Sequence, residues 1–342
     1  MSGAGARMSG ADSRLVLLGN AIVDLVMRVP ALPERGGDVV ATDTTFVTGG
    51  GFNVLAAARR LGLPAVYAGG HGSGPFADRV RADLAREGIE VLLPPLPDTD
   101  TGFCVALVDD DGERTFATSL GAEARLTGAD AAAVLAALRP GDLVQISGYG
   151  LAHPAGGPVL AGLIAQLPPD ARVFLDPGPL VSEIPEDVLR VALGRCDWLS
   201  CNQREGRLMT GLDDAPATAA ALAARLGPET GVLVRADAAG CWLVPPGGEP
   251  VHVPGRQVPA VDSNGAGDAH TGAFLALLGG GLDPLDAVRG ANAAAAFAVT
   301  RRGPATGPTR RELLGFLDGD ASAAPALRSV LGAGPGAPGP LG

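Results

Sequence analysis

The run Val261-Asp262-Ser263-Asn264-Gly265-Ala266-Gly267-Asp268 leads into a helical stretch over 269–278, so three small residues and a carboxylate meet at a helix start. Gly265, Ala266 and Gly267 leave backbone N–H groups bare there, where they and the helix dipole stabilise negative charge. Asp268 falls in the first turn, beside that anion site. Amides holding a phosphoryl group and a carboxylate facing an attacking hydroxyl are the two parts a group transfer needs. The same aspartate also reads as a residue that merely complements the dipole. In either case the dipole should favour its ionised form and make it a weak base at neutral pH. Such a base still serves, because the hydroxyl becomes acidic only as its bond to phosphorus forms.

Two more glycine clusters bear on the same chemistry. Thr48-Gly49-Gly50-Gly51-Phe52-Asn53 opens a helix over 54–61. Asn53 reads there as a helix cap, with glycines that allow a tight entry, or as a hydrogen-bonding group beside bare backbone at Gly50 and Gly51 that a polyol can approach. Gly19-Asn20-Ala21-Ile22-Val23-Asp24 follows the first strand-like run, at the edge where ligands bind in open α/β sheets. Asp24 reads as a ligand for two sugar hydroxyls or as a solvated turn residue.

The elements that must position these groups alternate along the chain. Short β-branched or leucine-rich runs at 143–146, 173–175, 198–200 and 232–234 are separated by alanine-rich helical stretches at 158–167, 186–193, 203–209 and 217–226. That order predicts an α/β fold, a doubly wound, mostly parallel sheet with helices on both faces. Two regions interrupt it, an extended segment over 26–47 and a hairpin of 102–108 with 113–118 around the Asp109-Asp110-Asp111-Gly112 turn. Together they predict a small inserted β-sheet that acts as a lid. The folded domain is expected over 14–320, with lid segments at about 24–48 and 99–120 and flexible tails at 1–13 and 321–342.

Composition narrows the chemistry. The 342 residues are 46% hydrophobic and carry a net charge of −11, enough for a full core and without a broad basic surface for nucleic acid. All 26 basic residues are arginine. A P-loop, a protein-kinase lysine, a Ser-Lys hydrolase and a pyridoxal Schiff base are therefore excluded. A nicotinamide fingerprint would need Gly-x-Gly-x-x-Gly after Leu18, where the chain has the first glycine alone. His71-Gly72-Ser73-Gly74 lacks the first glycine of a hydrolase elbow, and the four histidines have no metal spacing. Four cysteines without CxxC spacing, no apolar leader and no run long enough for a membrane span give the expectation of a cytoplasmic protein.

Gly-Ala-Gly-Asp at 265–268 is similar to the C-terminal signature of the PfkB/ribokinase family of carbohydrate kinases, and Gly49 to Asn53 resembles its N-terminal glycine motif. Asn202-Gln203-Arg204-Glu205 resembles the Asn-x-x-Glu motif, 292–303 the helix and turn that shape an adenine pocket, and Asp176-Pro177 a strand end facing the site. The resemblance implies ATP as donor and a sugar, or alternatively a nucleoside, as acceptor. Asp268 would be the base beside Gly265, Ala266 and Gly267, and Asp24, Gly50, Gly51 and Asn53 would bind the acceptor. Asn202, Arg235, Gly240 and Asn292 would face the nucleotide, Glu205 would support Mg2+ indirectly and Asp262 a monovalent cation such as K+. It also allows a homodimer through the lid. Ile22 and Gly50 stand where ribokinases proper carry asparagine and lysine, and Asp237 stands where the nucleotide loop commonly has glycine. A non-catalytic sensor on the same fold is the remaining alternative, and retention of Asp268 argues for catalysis. Phe46, Phe52, Phe103 and Phe116 are the candidates for a wall against a nucleoside base.

Overall fold

The computed structural model describes residues 13–111, 113–318 and 325–332. In chain order the strands are β1 (Leu15–Leu18), β2 (Ala21–Arg28), β3 (Asp43–Gly50), β4 (Ala65–Tyr67), β5 (Glu90–Val91), β6 (Phe103–Val108) and β7 (Arg114–Ser119). They continue with β8 (Leu143–Ser147), β9 (Arg172–Asp176), β10 (Trp198–Asn202), β11 (Gly231–Arg235), β12 (Gly240–Val244) and β13 (Val251–Pro254). Nine form one sheet in the order β13-β12-β11-β10-β9-β8-β1-β4-β5, parallel from β5 through β11 with antiparallel partners at β12 and β13.

Strand alternation divides the core in two. Leu15, Leu17, Leu143, Trp198 and Leu233 point to the face covered by helices Gly51–Arg60, Ala266–Gly279 and Pro284–Val299. Val16, Leu18, Val144, Leu199 and Val232 point to the other face, covered by Gly156–Ala165, Glu186–Gly194 and Ala215–Leu226. Burial on both sides explains why these strands read as continuous apolar runs. The expected doubly wound sheet is present.

The second sheet, in the order β3-β2-β6-β7, is the small inserted one. It is mixed, because β2 pairs antiparallel with β3 and parallel with β6, while β6 and β7 form the expected hairpin. Gly112, the glycine of the Asp-Gly turn, lies outside the described residues. The register puts Asp24, Val47, Cys104 and Thr118 on one face, which turns toward the large sheet's strand ends. The other face packs in part on helix Pro75–Arg86, through Phe103 against Phe76 and Thr48 against Asp83. The extended reading of 26–47 is corrected. Residues 29–42 are largely irregular, and β2 begins at Ala21, so Asp24 is a strand residue and not a turn residue.

The expected tail at 321–342 is also corrected over Pro325–Gly332, which forms a helix. Leu327 and Leu331, one turn apart, are buried in the core beside Gly290, where an added Cβ would come within 2.9 Å of Leu327. Residues 1–12, 319–324 and 333–342 lie outside the described residues. Leu327→Ala should cost about 2 to 5 kcal/mol of unfolding free energy through transfer and cavity terms. Denaturant titration of the two proteins should show a lower midpoint at an unchanged slope; an unchanged midpoint would mean that this helix does not hold the core.

Candidate active site

The C-terminal ends of β9, β10 and β11 gather around the start of helix Ala266–Gly279, which meets the helix following the small sheet through Asn53. Gly265 caps helix Ala266–Gly279 in a left-handed conformation, φ 72°, and an added Cβ there would sit 1.8 Å from the Pro304 carbonyl oxygen. Glycine is required at that position by both strain and space. No side chain caps this helix; Ala266 N donates to the Ser263 carbonyl at 3.3 Å, and the amides of Gly267 and Asp268 have no backbone acceptor among the described residues.

Asp268 accepts a hydrogen bond from Asn53 Nδ2 at 2.9 Å. That contact decides between the two readings of Asn53. The helix starts at Gly51 with Gly50 as its cap residue, so Asn53 caps nothing, and its buried side chain reaches 215 positions along the chain to the carboxylate. Gly50, at φ 64°, is pressed against the Asn20 carbonyl, which accepts from Gly51 N at 2.7 Å. An added Cβ at Gly49 would lie 2.1 Å from an Asp24 carboxylate oxygen. Asp24 thus lies across bare backbone on the cleft face, with no protein hydrogen-bond partner among the described residues.

Burial changes the electrostatics from those the sequence implies. Desolvation raises Asp268 to about 6, helped by Asp176 and Asp24 and opposed by the Asn53 bond and Arg235. The dipole-favoured, weakly basic aspartate expected from sequence is therefore corrected to a carboxylate poised near neutrality, because loss of water outweighs the helix end. Asp24 is raised to about 6 by burial as well. Both ordinarily titrate at 3.8, so between 3.8 and about 6 the folded state holds protons that the unfolded chain releases. Their contribution to stability is complete below 3.8 and is lost as pH rises through about 6.

Arg235, at the end of β11, ties the strand ends together. Its Nη1 donates to Asp176 Oδ2 at 3.0 Å and Thr271 Oγ1 at 3.0 Å and lies 3.4 Å from the Gly267 carbonyl; its Nη2 is 3.6 Å from Glu205 Oε2. Two carboxylates hold its proton above the ordinary arginine value. Asn202 and Glu205 form a reciprocal capping box at helix Gln203–Thr210, with bonds of 2.8 to 2.9 Å that use both Glu205 oxygens. Burial pushes Glu205 up. Among the described residues no three acidic, histidine or cysteine side chains cluster tightly enough to cage a metal.

Two expected ligand residues have other partners. Asn292 donates to the Val253 and Pro254 carbonyls at 2.9 and 3.1 Å and meets His270 Nε2 at 3.2 Å, so its amide fastens β13 to helix Pro284–Val299 and is not free for a nucleotide. Asp262 accepts from Arg114 of β7, from Asn264 N and from Gly303 N. Its carboxylate already carries a guanidinium from the lid, so the expectation of a monovalent cation there is corrected. Gly240 is dictated by its backbone, since an added Cβ would approach the Val253 carbonyl to 2.2 Å. Asp237 adopts φ 47° and is exposed, which accounts for glycine being the usual residue at such a turn. Arg114, Thr271, Tyr149 and His153 were not singled out as site residues by sequence.

The profile of the pfkB family carbohydrate kinases matches residues 12–310. The chain belongs to that family. It is 34% identical over 321 residues to the uncharacterized sugar kinase YegV of Escherichia coli, across 88% of this chain and 92% of the relative. A Thermotoga maritima ribokinase superposes with a TM-score of 0.76 at 24% identity, covering 89% of this chain and 99% of that one. A Vibrio cholerae fructokinase bound to fructose, ADP and calcium superposes with a TM-score of 0.72 at 25% identity, over 89% and 99%. As a PfkB-family carbohydrate kinase, the protein is a phosphotransferase with a ribokinase-like fold.

Because Asn53 donates to the ionised form of Asp268, Asn53→Ala should raise the aspartate further and move the acid limb of the kcat profile to higher pH. In the parent protein kcat should fall as pH drops through about 6. Rates across about pH 5 to 8 check both, and coincident profiles would remove the coupling.

Proposed function

We propose that the protein is an ATP-dependent kinase that transfers the γ-phosphate to a hydroxyl of a small sugar or sugar-like acceptor. The observation that carries this reading is Asp268, a carboxylate held near neutrality by burial at an uncapped, glycine-built helix start and oriented by Asn53. Asp24 and Asn53 fix the acceptor by accepting and donating hydrogen bonds. The acceptor hydroxyl then faces Asp268, which takes its proton as the oxygen–phosphorus bond forms and the bond to the leaving ADP oxygen breaks. Amides at the start of helix Ala266–Gly279 stabilise charge on the transferring group. Mg2+ carried on the phosphates would neutralise charge there, and Glu205 and Asp176, the carboxylates gathered by Arg235, would hold it. A sensor without catalysis would need no carboxylate at this glycine-built helix start, where Asp268 stands oriented by Asn53.

Arg114 closes the small sheet over the site by pairing with Asp262, and its Nη1 lies 3.5 Å from Ser263 Oγ. Water admitted beside a poised ATP would compete as acceptor. Arg114→Ala should raise acceptor-independent ATP hydrolysis by about five-fold, the shift expected from ~1 kcal/mol of lost lid contact. ADP release without acceptor measures this, and an unchanged rate would separate the ion pair from closure.

The central test is Asp268→Asn, which keeps size and helix but removes proton acceptance. With the best acceptor found in an ADP-release screen over pentoses, hexoses, sugar acids and nucleosides, kcat should fall by about 10² to 10⁴ while ligand affinity changes little. A variant of matched thermal stability that keeps more than about half of the parent kcat would remove Asp268 from the chemical step.

A further inference from the structure

Asp262 ties together the two turns that build the start of helix Ala266–Gly279. Its Oδ1 accepts from Asn264 N at 2.9 Å and its Oδ2 from Gly303 N at 3.1 Å. The Val299 carbonyl accepts from Val261 N and Asp262 N at 2.7 and 3.1 Å, and the Pro304 carbonyl packs against Gly265. The Asp262 side chain is 12% exposed and stands three residues before Gly265. An uncompensated charge on it would oppose any phosphate drawn to the amides of that helix start.

The compensating charge comes from the small sheet. Arg114 Nη2 donates to Asp262 Oδ1 and Arg114 Nη1 lies 3.5 Å from Ser263 Oγ, so both contacts fall on the loop that enters the helix. The register sets this reach. Thr118 is level with Asp24 and Arg114 with Arg28, four positions along the same face of the sheet. Other arginines near the site are turned to different partners. Arg301 lies over the Phe297 ring, 3.4 Å from its centroid, and donates to Thr300 Oγ1 at 3.1 Å, while Arg235 is held between Asp176 and Glu205. A guanidinium keeps its single positive charge at any working pH, and on Asp262 it takes the place that a bare monovalent ion would need.

Resting on the kinase reading above, we propose that Arg114 is a tethered monovalent cation, a positioning residue whose charge completes the anion site at the start of helix Ala266–Gly279 and makes turnover independent of K+ and Na+. A diffusible ion would be present whether the small sheet is open or closed. A charge carried on β7 is in place only while the sheet lies over the site, so the helix start becomes ready for the transferring phosphate only on closure.

The test measures kcat/KM for ATP, with Mg2+ and the best acceptor, in KCl and in tetramethylammonium chloride of equal ionic strength. The parent protein should differ by less than about two-fold between the two salts at about 0.1 M. Arg114→Ala should fall by about ten-fold in the tetramethylammonium salt, the scale of a charge lost at a helix end, and should regain most of that in KCl. Its acceptor-independent hydrolysis should stay raised in KCl, because the ion restores the charge and not the latch. Arg114→Lys, which keeps the charge, should show the flat response of the parent, and Asp262→Asn added to Arg114→Ala should abolish the K+ response. A parent protein activated about five-fold or more by K+, more than one exposed ion pair accounts for, would overturn the proposal. So would an Arg114→Ala variant equally impaired in both salts, or a K+ response that survives Asp262→Asn. Calorimetric titration of the β,γ-imido analogue of ATP with Mg2+ reads the site without turnover. An affinity that depends on K+ in Arg114→Ala and not in the parent, with no transfer to any acceptor, would support the tethered charge and sink the kinase reading; affinities alike in both proteins and both salts would sink the tethered charge.

Discussion

One guanidinium holds the active cleft together. Arg235 joins the ends of β9 and β11, the helix that follows β10 and the first two turns of helix Ala266–Gly279, through Asp176, Glu205, Thr271 and the Gly267 carbonyl. Its side chain is 13% exposed, and those of Glu205 and Asp176 are 4% and 22% exposed. At such burial the carboxylates are tolerable only as long as the cation stays between them. Asp268 belongs to the same field. Asp176 raises it and Arg235 lowers it, so the basicity of this carboxylate depends on an ion cluster with which it shares no hydrogen bond.

The same arrangement explains how a chain of net charge −11 can receive an anionic donor. On the proposed reading, attraction to phosphate comes from backbone amides at a glycine-built helix start, while Arg235 offsets the charge of the two carboxylates beside it. Arginine suits this task because its fork serves several acceptors at once and keeps its charge when buried. A lysine in the same position would reach fewer partners and would lose its proton more readily.

Glycine spacing made the candidate site's two glycine turns legible in the sequence, because Gly265 and Gly50 are fixed by local backbone strain that no other residue relieves. The layered sheet was legible for a similar reason, since strands buried on both faces cannot hide their apolar runs. What escaped depends on distance along the chain. Arg114 meets Asp262 across 148 positions and Arg235 meets Asp176 across 59, and no local pattern announces either pair. The state of Asp268 escaped as well, because desolvation is a property of the assembled cleft. Helix Pro325–Gly332 was concealed by its small-residue neighbours, although Leu327 and Leu331 carry the helical period.

The roots of the small sheet add a mechanical property to the cleft. β1 passes into β2 through Gly19 and Asn20 alone, and β3 passes into helix Gly51–Arg60 with no linker. The sheet is therefore an arm rooted at the residues proposed to surround the acceptor, with Arg114 level with Arg28 at its far end. The eight residues of β2 span about 26 Å at about 3.3 Å each. A turn of about 5° at the root carries the tip through about 2 Å, enough to make or break a hydrogen bond. On such an arm, a difference in acceptor shape too small to register at Asn20 would be magnified at the end that carries Arg114.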